Sequence, residues 1–128
     1  MLTSRRTIAA LGAATLLAAP MTVLTTAPAN AADREFRYAG AEVEFDVEKD
    51  DGRFEIEVDI DDAKPGSRWR VVLRHDGRVY HNRIHRADGD GDVEIDKVRP
   101  NTPGRDVFKL RVKRVGADKA AARVIRRR

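Results

Sequence analysis

Between Glu42 and Asp61 acids recur at every second position of two short runs: Glu42, Glu44, Asp46 and Glu48, then Glu55, Glu57, Asp59 and Asp61. Closely spaced carboxylates can chelate a divalent cation or share a proton in acid–base catalysis. Catalysis needs unequal environments that separate two pKa values. A ladder of equivalent, solvated acids does not provide them, so these eight residues read as an acidic surface. A second set of charges has the opposite sign: Arg68, Arg70, Arg74, Lys109, Arg111 and Lys113. The planar guanidinium of Arg donates hydrogen bonds in pairs and suits phosphate and other anions. These six are the candidate residues for holding a polyanion or a protein partner.

Other chemistry is poorly supplied. Ser67 is the only serine after residue 31, and it lies in a Pro-Gly turn with no Gly-x-Ser-x-Gly around it. There is no cysteine, so thiol redox chemistry and cysteine zinc sites are excluded. The three histidines are His75, His81 and His85. His81 and His85 would share a strand face about 13 Å apart, too far for one metal, and all three read as surface residues near an edge. Asp88-Gly89-Asp90-Gly91-Asp92 resembles the start of a calcium loop. An EF-hand needs Gly at position six and Glu at twelve, where this chain has Val93 and Arg99. A flexible inter-strand loop is expected there, with calcium binding left open. No metal, cofactor or catalytic residue is assigned, and the chain is not expected to be an enzyme.

The elements that carry these residues read as strands. Val43, Phe45 and Val47 alternate with acids, as do Phe54, Ile56, Val58 and Ile60; period two marks half-buried strands. Asp51-Gly52 between the runs favours a two-residue type I′ hairpin. That turn sets Val47 opposite Ile56, Phe45 opposite Val58 and Val43 opposite Ile60. It also sets Glu48 against Glu55, Asp46 against Glu57, Glu44 against Asp59 and Glu42 against Asp61. Trp69, Val71 and Leu73 point inward on the next strand, with Trp69 expected as a core anchor. A second hairpin is expected at Asp76-Gly77, followed by a strand from Val79 to His85. A short strand over 93–96, a strand over 107–112 and a last one through 120–125 bring the total to seven. No helix is expected after the N-terminal leader. Turn signals every eight to twelve residues argue for an all-β, antiparallel sandwich.

The Trp-bearing third strand and the run Pro103-Gly104-Arg105-Asp106-Val107-Phe108 resemble bacterial extracellular immunoglobulin-like, fibronectin-III-like and cadherin-like modules. The resemblance spans residues 41–126 and implies a fold, not a function. It implies that strands one, two and five share one sheet and strands three, six and seven the other. Glu94 and Asp96 would then join the acidic face, and the basic residues would lie on the opposite side.

Residues 1–31 read as a helical export signal: Arg5 and Arg6, an apolar stretch from Ile8 to Leu24, and Ala29-Asn30-Ala31 placing cleavage before Ala32. A stable membrane anchor is not expected, and Sec and twin-arginine export both fit. Residues 32–40 read as a polar tail. Arg far outnumbers Lys and Ala is abundant, a composition that suggests a bacterial source. Arg5 and Arg6 are the only charges before Asp33, so residues 32–128 keep 23 bases and 21 acids, a net of +2. The charge is segregated: 32–62 hold 13 acids and 4 bases, and 63–128 hold 8 acids and 19 bases. Trp69 reads as buried, leaving Tyr38 and Tyr80, so sequence-specific nucleic-acid recognition by stacking is not expected. The reading is a secreted, non-catalytic binding domain whose basic sheet associates with an anionic cell-envelope polymer. An inhibitor or accessory module for a secreted protein is the alternative. Weak head-to-tail self-association is a further expectation, because opposite faces carry opposite charge.

Overall fold

Alternation of Glu or Asp with Val, Phe and Ile produces two long paired strands. In the computed structural model, which describes residues 33–128, they are β2 (Ala41–Asp50) and β3 (Arg53–Asp61). The export signal expected over residues 1–31 lies outside the described residues. Asp51 and Gly52 both have positive φ, 55° and 80°, as a type I′ turn requires. The hairpin register is the one the turn dictates, down to Glu42 opposite Asp61. Asp76 and Gly77, at 51° and 85°, close a second hairpin between β4 (Arg68–His75) and β5 (Arg78–Arg86).

The remaining strands are β1 (Asp33–Tyr38), β6 (Val93–Pro100), β7 (Asp106–Arg114) and β8 (Ala121–Arg127). Among the described residues there are eight strands and no helix. The eighth is β1, expected as a polar tail. It turns into β2 through Ala39 and Gly40, both at positive φ, and pairs along β2 from Asp33 opposite Asp46 to Tyr38 opposite Ala41. β6 is also twice the expected length, because its pairing with β3 continues to Arg53 opposite Pro100.

The strands form two antiparallel sheets, ordered β1-β2-β3-β6 and β5-β4-β7-β8. Their apolar faces meet in a sandwich-like core that includes Phe45, Phe54, Trp69, Leu73, Phe108 and Ile125, each 0–1% exposed. Phe54 of the first sheet meets Phe108 of the second edge to face at 5.0 Å. Trp69 is buried as expected, and its indole N–H donates to Ser67 Oγ at 2.9 Å. Ser67 Oγ donates to the Lys64 carbonyl, so this serine serves a turn and the tryptophan. Tyr38 packs on Trp69; its hydroxyl donates to the Lys119 carbonyl and accepts from the Arg114 N–H. β1 thereby ties the first sheet to the second.

The Asp88–Asp92 loop is a closed turn. Asp88 Oδ1 accepts from the N–H groups of Asp90 and Asp92, and Ala63 N–H donates to the Gly91 carbonyl at 3.0 Å. Gly91 has φ +82°, and a Cβ there would lie 2.1 Å from the Ala63 oxygen. Only glycine permits this approach.

Candidate functional site

Strand alternation decides which face each charge joins. Trp69, Val71 and Leu73 of β4 point into the core, so Arg68, Arg70 and Arg74 point out. Phe108, Leu110 and Val112 of β7 point in, so Lys109, Arg111 and Lys113 point out. The sheet brings all six together on its two central strands, with Arg70 opposite Lys113, Arg74 opposite Lys109 and Val72 opposite Arg111. Arg86 on β5, opposite Arg68, and Arg126 on β8, opposite Val107, extend the patch. Among the described residues this outer face holds eight bases and no acid. Arg70 Nη1 donates to Asn82 Oδ1 at 2.7 Å across the β4–β5 ladder, which fixes one guanidinium. Ile84 and Val79, 45% and 49% exposed, border the patch on β5.

The other outer face is predominantly acidic, with Arg37 opposite Glu42 and Arg53 opposite Asp50 as bases in the same phase. The predicted acids Glu42, Glu44, Asp46, Glu48, Glu55, Glu57, Asp59 and Asp61 line the same side of β2 and β3. Glu35 on β1 and Glu94 on β6 extend one row across all four strands as Glu35–Glu44–Asp59–Glu94. Asp96 extends the neighbouring row next to Glu57. Partial burial, then the charges of Glu57, Glu94, Asp61 and Glu44, push Asp59 up to about 6. Burial and the nearby Asp96, Asp46, Glu94 and Glu48 raise Glu57 likewise. A concavity of about 400 Å3 opens on this face, lined by Asp46, Glu48, Glu55, Glu57 and Asp96 with Lys97 and Val98 at its side.

Set against protein-family models, curated proteins and solved structures, the chain matches none.

The histidines depart from expectation. His75 is 3% exposed, not a surface residue. It continues the inward face of β4 after Leu73 and stacks on Phe108 at 4.4 Å. Its Nε2 lies 2.6 Å from Asp106 Oδ1, while its Nδ1 accepts from Arg99 Nε at 3.2 Å. With Nδ1 accepting, Nε2 carries the proton and donates to the carboxylate. Burial pushes the fully enclosed Asp106 up, but hydrogen bonds from Thr102 and His75 outweigh it and hold the carboxyl below its usual range. Arg99 also lies over the Tyr80 ring at 4.6 Å. The dyad has the parts of an acid–base pair, yet the one Thr102 hydroxyl proton goes to Asp106 Oδ1 at 2.6 Å, with Asp76 Oδ2 farther off at 3.2 Å, and both dyad members are enclosed. Its role in this geometry is to pin β4 to β7 beneath the Asp76-Gly77 hairpin.

His81 and His85 were expected about 13 Å apart, and their side chains are not. They lean toward each other over Arg83, stack at 5.0 Å and share a hydrogen bond between their Nε2 atoms at 2.8 Å. Backbone rise sets the spacing of Cα atoms, and two inclined imidazoles close the rest. Burial first, then Lys97, His85 and Arg83, hold His81 down at about 4, and His85 is lowered as well by burial, Arg83 and Lys97. One ring must donate and the other accept, so at least one is neutral, and the lowered values of both favour an uncharged pair.

Three groups bring metal-ligating atoms within 4.8 Å of one another: His75, Asp76 and Asp106; Glu57, Asp59 and Glu94; Asp88, Asp90 and Asp92. In the first, both His75 nitrogens and Asp106 Oδ1 are already hydrogen-bonded, while Asp106 Oδ2 is buried without a partner; in the third the Asp88 carboxylate already caps its own loop.

Proposed function

We propose that residues 32–128 are an exported, non-catalytic module of immunoglobulin-like or fibronectin-III-like type, and that the outer face of β5-β4-β7-β8 holds an anionic polymer of the cell envelope. The observation that carries this reading is the eight-base, acid-free face on one rigid sheet. Neighbouring bases lie about 4.8 Å apart across strands and roughly 6.7 Å along them. A chain of repeating phosphates or other anions can meet several at once, displacing counterions from both partners. The fold assignment is supported by the strand order: without β1, one sheet is a three-strand set and the other a four-strand set, with β4, β7 and β8 together as the resemblance implies. Export is supported by the charge and apolarity of residues 1–31.

The test is salt elution from heparin, competed with soluble poly(glycerol phosphate), for wild type and Arg70→Glu/Arg111→Glu. The wild type should be retained and displaced by the competitor. The double variant should elute at markedly lower salt with its melting temperature preserved, because both side chains are exposed. Unchanged elution of a folded double variant would overturn the proposal.

A further inference from the structure

We infer that the domain binds a second copy of itself, the acidic outer face of β1-β2-β3-β6 in one molecule docking on the basic outer face of β5-β4-β7-β8 in the next. The two faces are built on the same lattice. Each places its charges on two adjacent central strands, about 4.8 Å apart across and roughly 6.7 Å along: β2 with β3 for the acids, β4 with β7 for the bases. A translated copy therefore meets opposite charges in register over several positions. The net charge of +2 for residues 32–128 leaves little long-range repulsion between copies, while each face taken alone is strongly charged.

Apolar surface matches too. Ile84 and Val79 stand at the β5 rim of the basic face, and Val98, 55% exposed, stands beside the acidic concavity. That concavity, about 400 Å3 and walled by five carboxylates, has room for a long cationic side chain. Docking also brings positive charge to the middle of the acidic face, where burial and neighbouring carboxylates already disfavour ionisation of Glu57 and Asp59.

Size sets the strength. A four-strand face about 19 Å by 26 Å removes roughly 1,000 Å2 of surface from both partners together, the low end for a specific interface. The contact is heterologous, so each added copy leaves a free acidic face at one end and a free basic face at the other, and association is open-ended. A weak, salt-sensitive chain is the expected form.

Sedimentation velocity tests this on the full chain and, alongside it, on residues 32–128, which hold a complete core. At about 20 mM NaCl the weight-average mass should rise with concentration past twice the monomer. At about 1 M NaCl, where screening reaches only about 3 Å, it should return to the monomer. Arg70→Glu/Arg111→Glu and Glu57→Gln/Asp59→Asn/Glu94→Gln should each stay monomeric alone. Mixed in equal amounts, they should form a one-to-one dimer and nothing larger, because each retains the face the other has lost. A wild type that is monomeric at low salt, a mixture that stays monomeric, or a variant that assembles like wild type would each overturn the inference. The acidic-face variant keeps its heparin retention, so failure of self-association and failure of polyanion binding are read separately.

Discussion

Replacing Asp59 by Asn removes one charge from the centre of the acidic sheet with little change of shape. Glu44 and Glu94 stand directly opposite Asp59 on the flanking strands, and Glu57 and Asp61 lie two residues away on its own strand. At about 5–7 Å in a water-like dielectric, each neighbour repels Asp59 by roughly 0.6–0.8 kcal/mol. Four neighbours give about 3 kcal/mol, which a Debye length of about 8 Å at 0.15 M salt reduces to roughly 1–1.5 kcal/mol. The upward shift from 3.8 to about 6, caused first by burial and then by these four charges, corresponds to about 3 kcal/mol in all, and discounting for the partly exposed side chain leaves a total of about the same size, of which repulsion is one part. A domain of this size gains about 4–8 °C per kcal/mol, so Asp59→Asn should melt about 5–10 °C higher at pH 7.5. The sign with pH follows from linkage. Because the folded-state pKa is raised, the cost is absent below about 3.8, where both states are protonated, and develops as pH rises through about 6. The gain should therefore vanish near pH 3.5 and shrink with added salt. Calorimetry at several pH values and salt concentrations checks this. A melting temperature that does not rise at pH 7.5, or a rise equally large near pH 3.5, would refute the repulsion model.

Three other outcomes are expected. Trp69→Ala should cost about 3–5 kcal/mol in urea unfolding followed by circular dichroism, because it empties the space between Tyr38 and the β4–β7 core. Gly91→Ala should cost at least about 2 kcal/mol, since the new Cβ meets the Ala63 carbonyl at 2.1 Å and must adopt positive φ; an unchanged melting curve would contradict the loop geometry. His81→Gln should change the pH profile: with a folded pKa of about 4 against 6.5 unfolded, His81 makes the wild type lose stability as pH falls from about 6.5 to about 4. The melting-temperature difference between variant and wild type should move in favour of the variant across that window, and a constant difference would count against a buried neutral pair.

The acidic hairpin was legible because three signals agree: strict alternation over Glu42–Glu48 and Glu55–Asp61, an Asp-Gly turn, and a register that pairs every apolar residue with another. β1 was not, because Phe36 and Tyr38 are its only apolar positions and its turn, Ala39-Gly40, lacks the usual Asp or Asn. Its stability comes from β2 beside it and from Arg114 and Lys119 far along the chain. The outward phase of the six bases was legible from alternation around Trp69 and Phe108. Asp106 and His75 carried the same kind of signal, unread: each stands in phase with its strand's inward residues, Asp106 two before Phe108 and His75 two after Leu73. A polar residue in phase with a core face marks a buried pair when a partner on the facing strand is also in phase. The contact of His81 with His85 has no such sequence mark, because it depends on how two side chains lean along an edge strand.

The separation of charge follows from the connection between chain order and sheet order. Acids crowd the first third of residues 32–128 and bases the rest, and the topology sends β1, β2 and β3 to one sheet and β4, β5, β7 and β8 to the other. Only β6 crosses back, and its outward residues Glu94 and Asp96 continue the acidic run that starts at Asp88, Asp90 and Asp92. Lys or Arg at these two positions would stand next to Glu57 and Asp59 and relieve them. Instead β6 adds two more carboxylates to the crowded rows and turns Lys97 and Arg99 toward the gap between the sheets, near His81 and Tyr80. Solubility alone asks only for polar residues of mixed sign. A sheet whose four strands all carry acids outward, at a cost in repulsion, goes beyond that requirement, and the mixed-variant sedimentation experiment tests whether this face meets positive charge from a second copy.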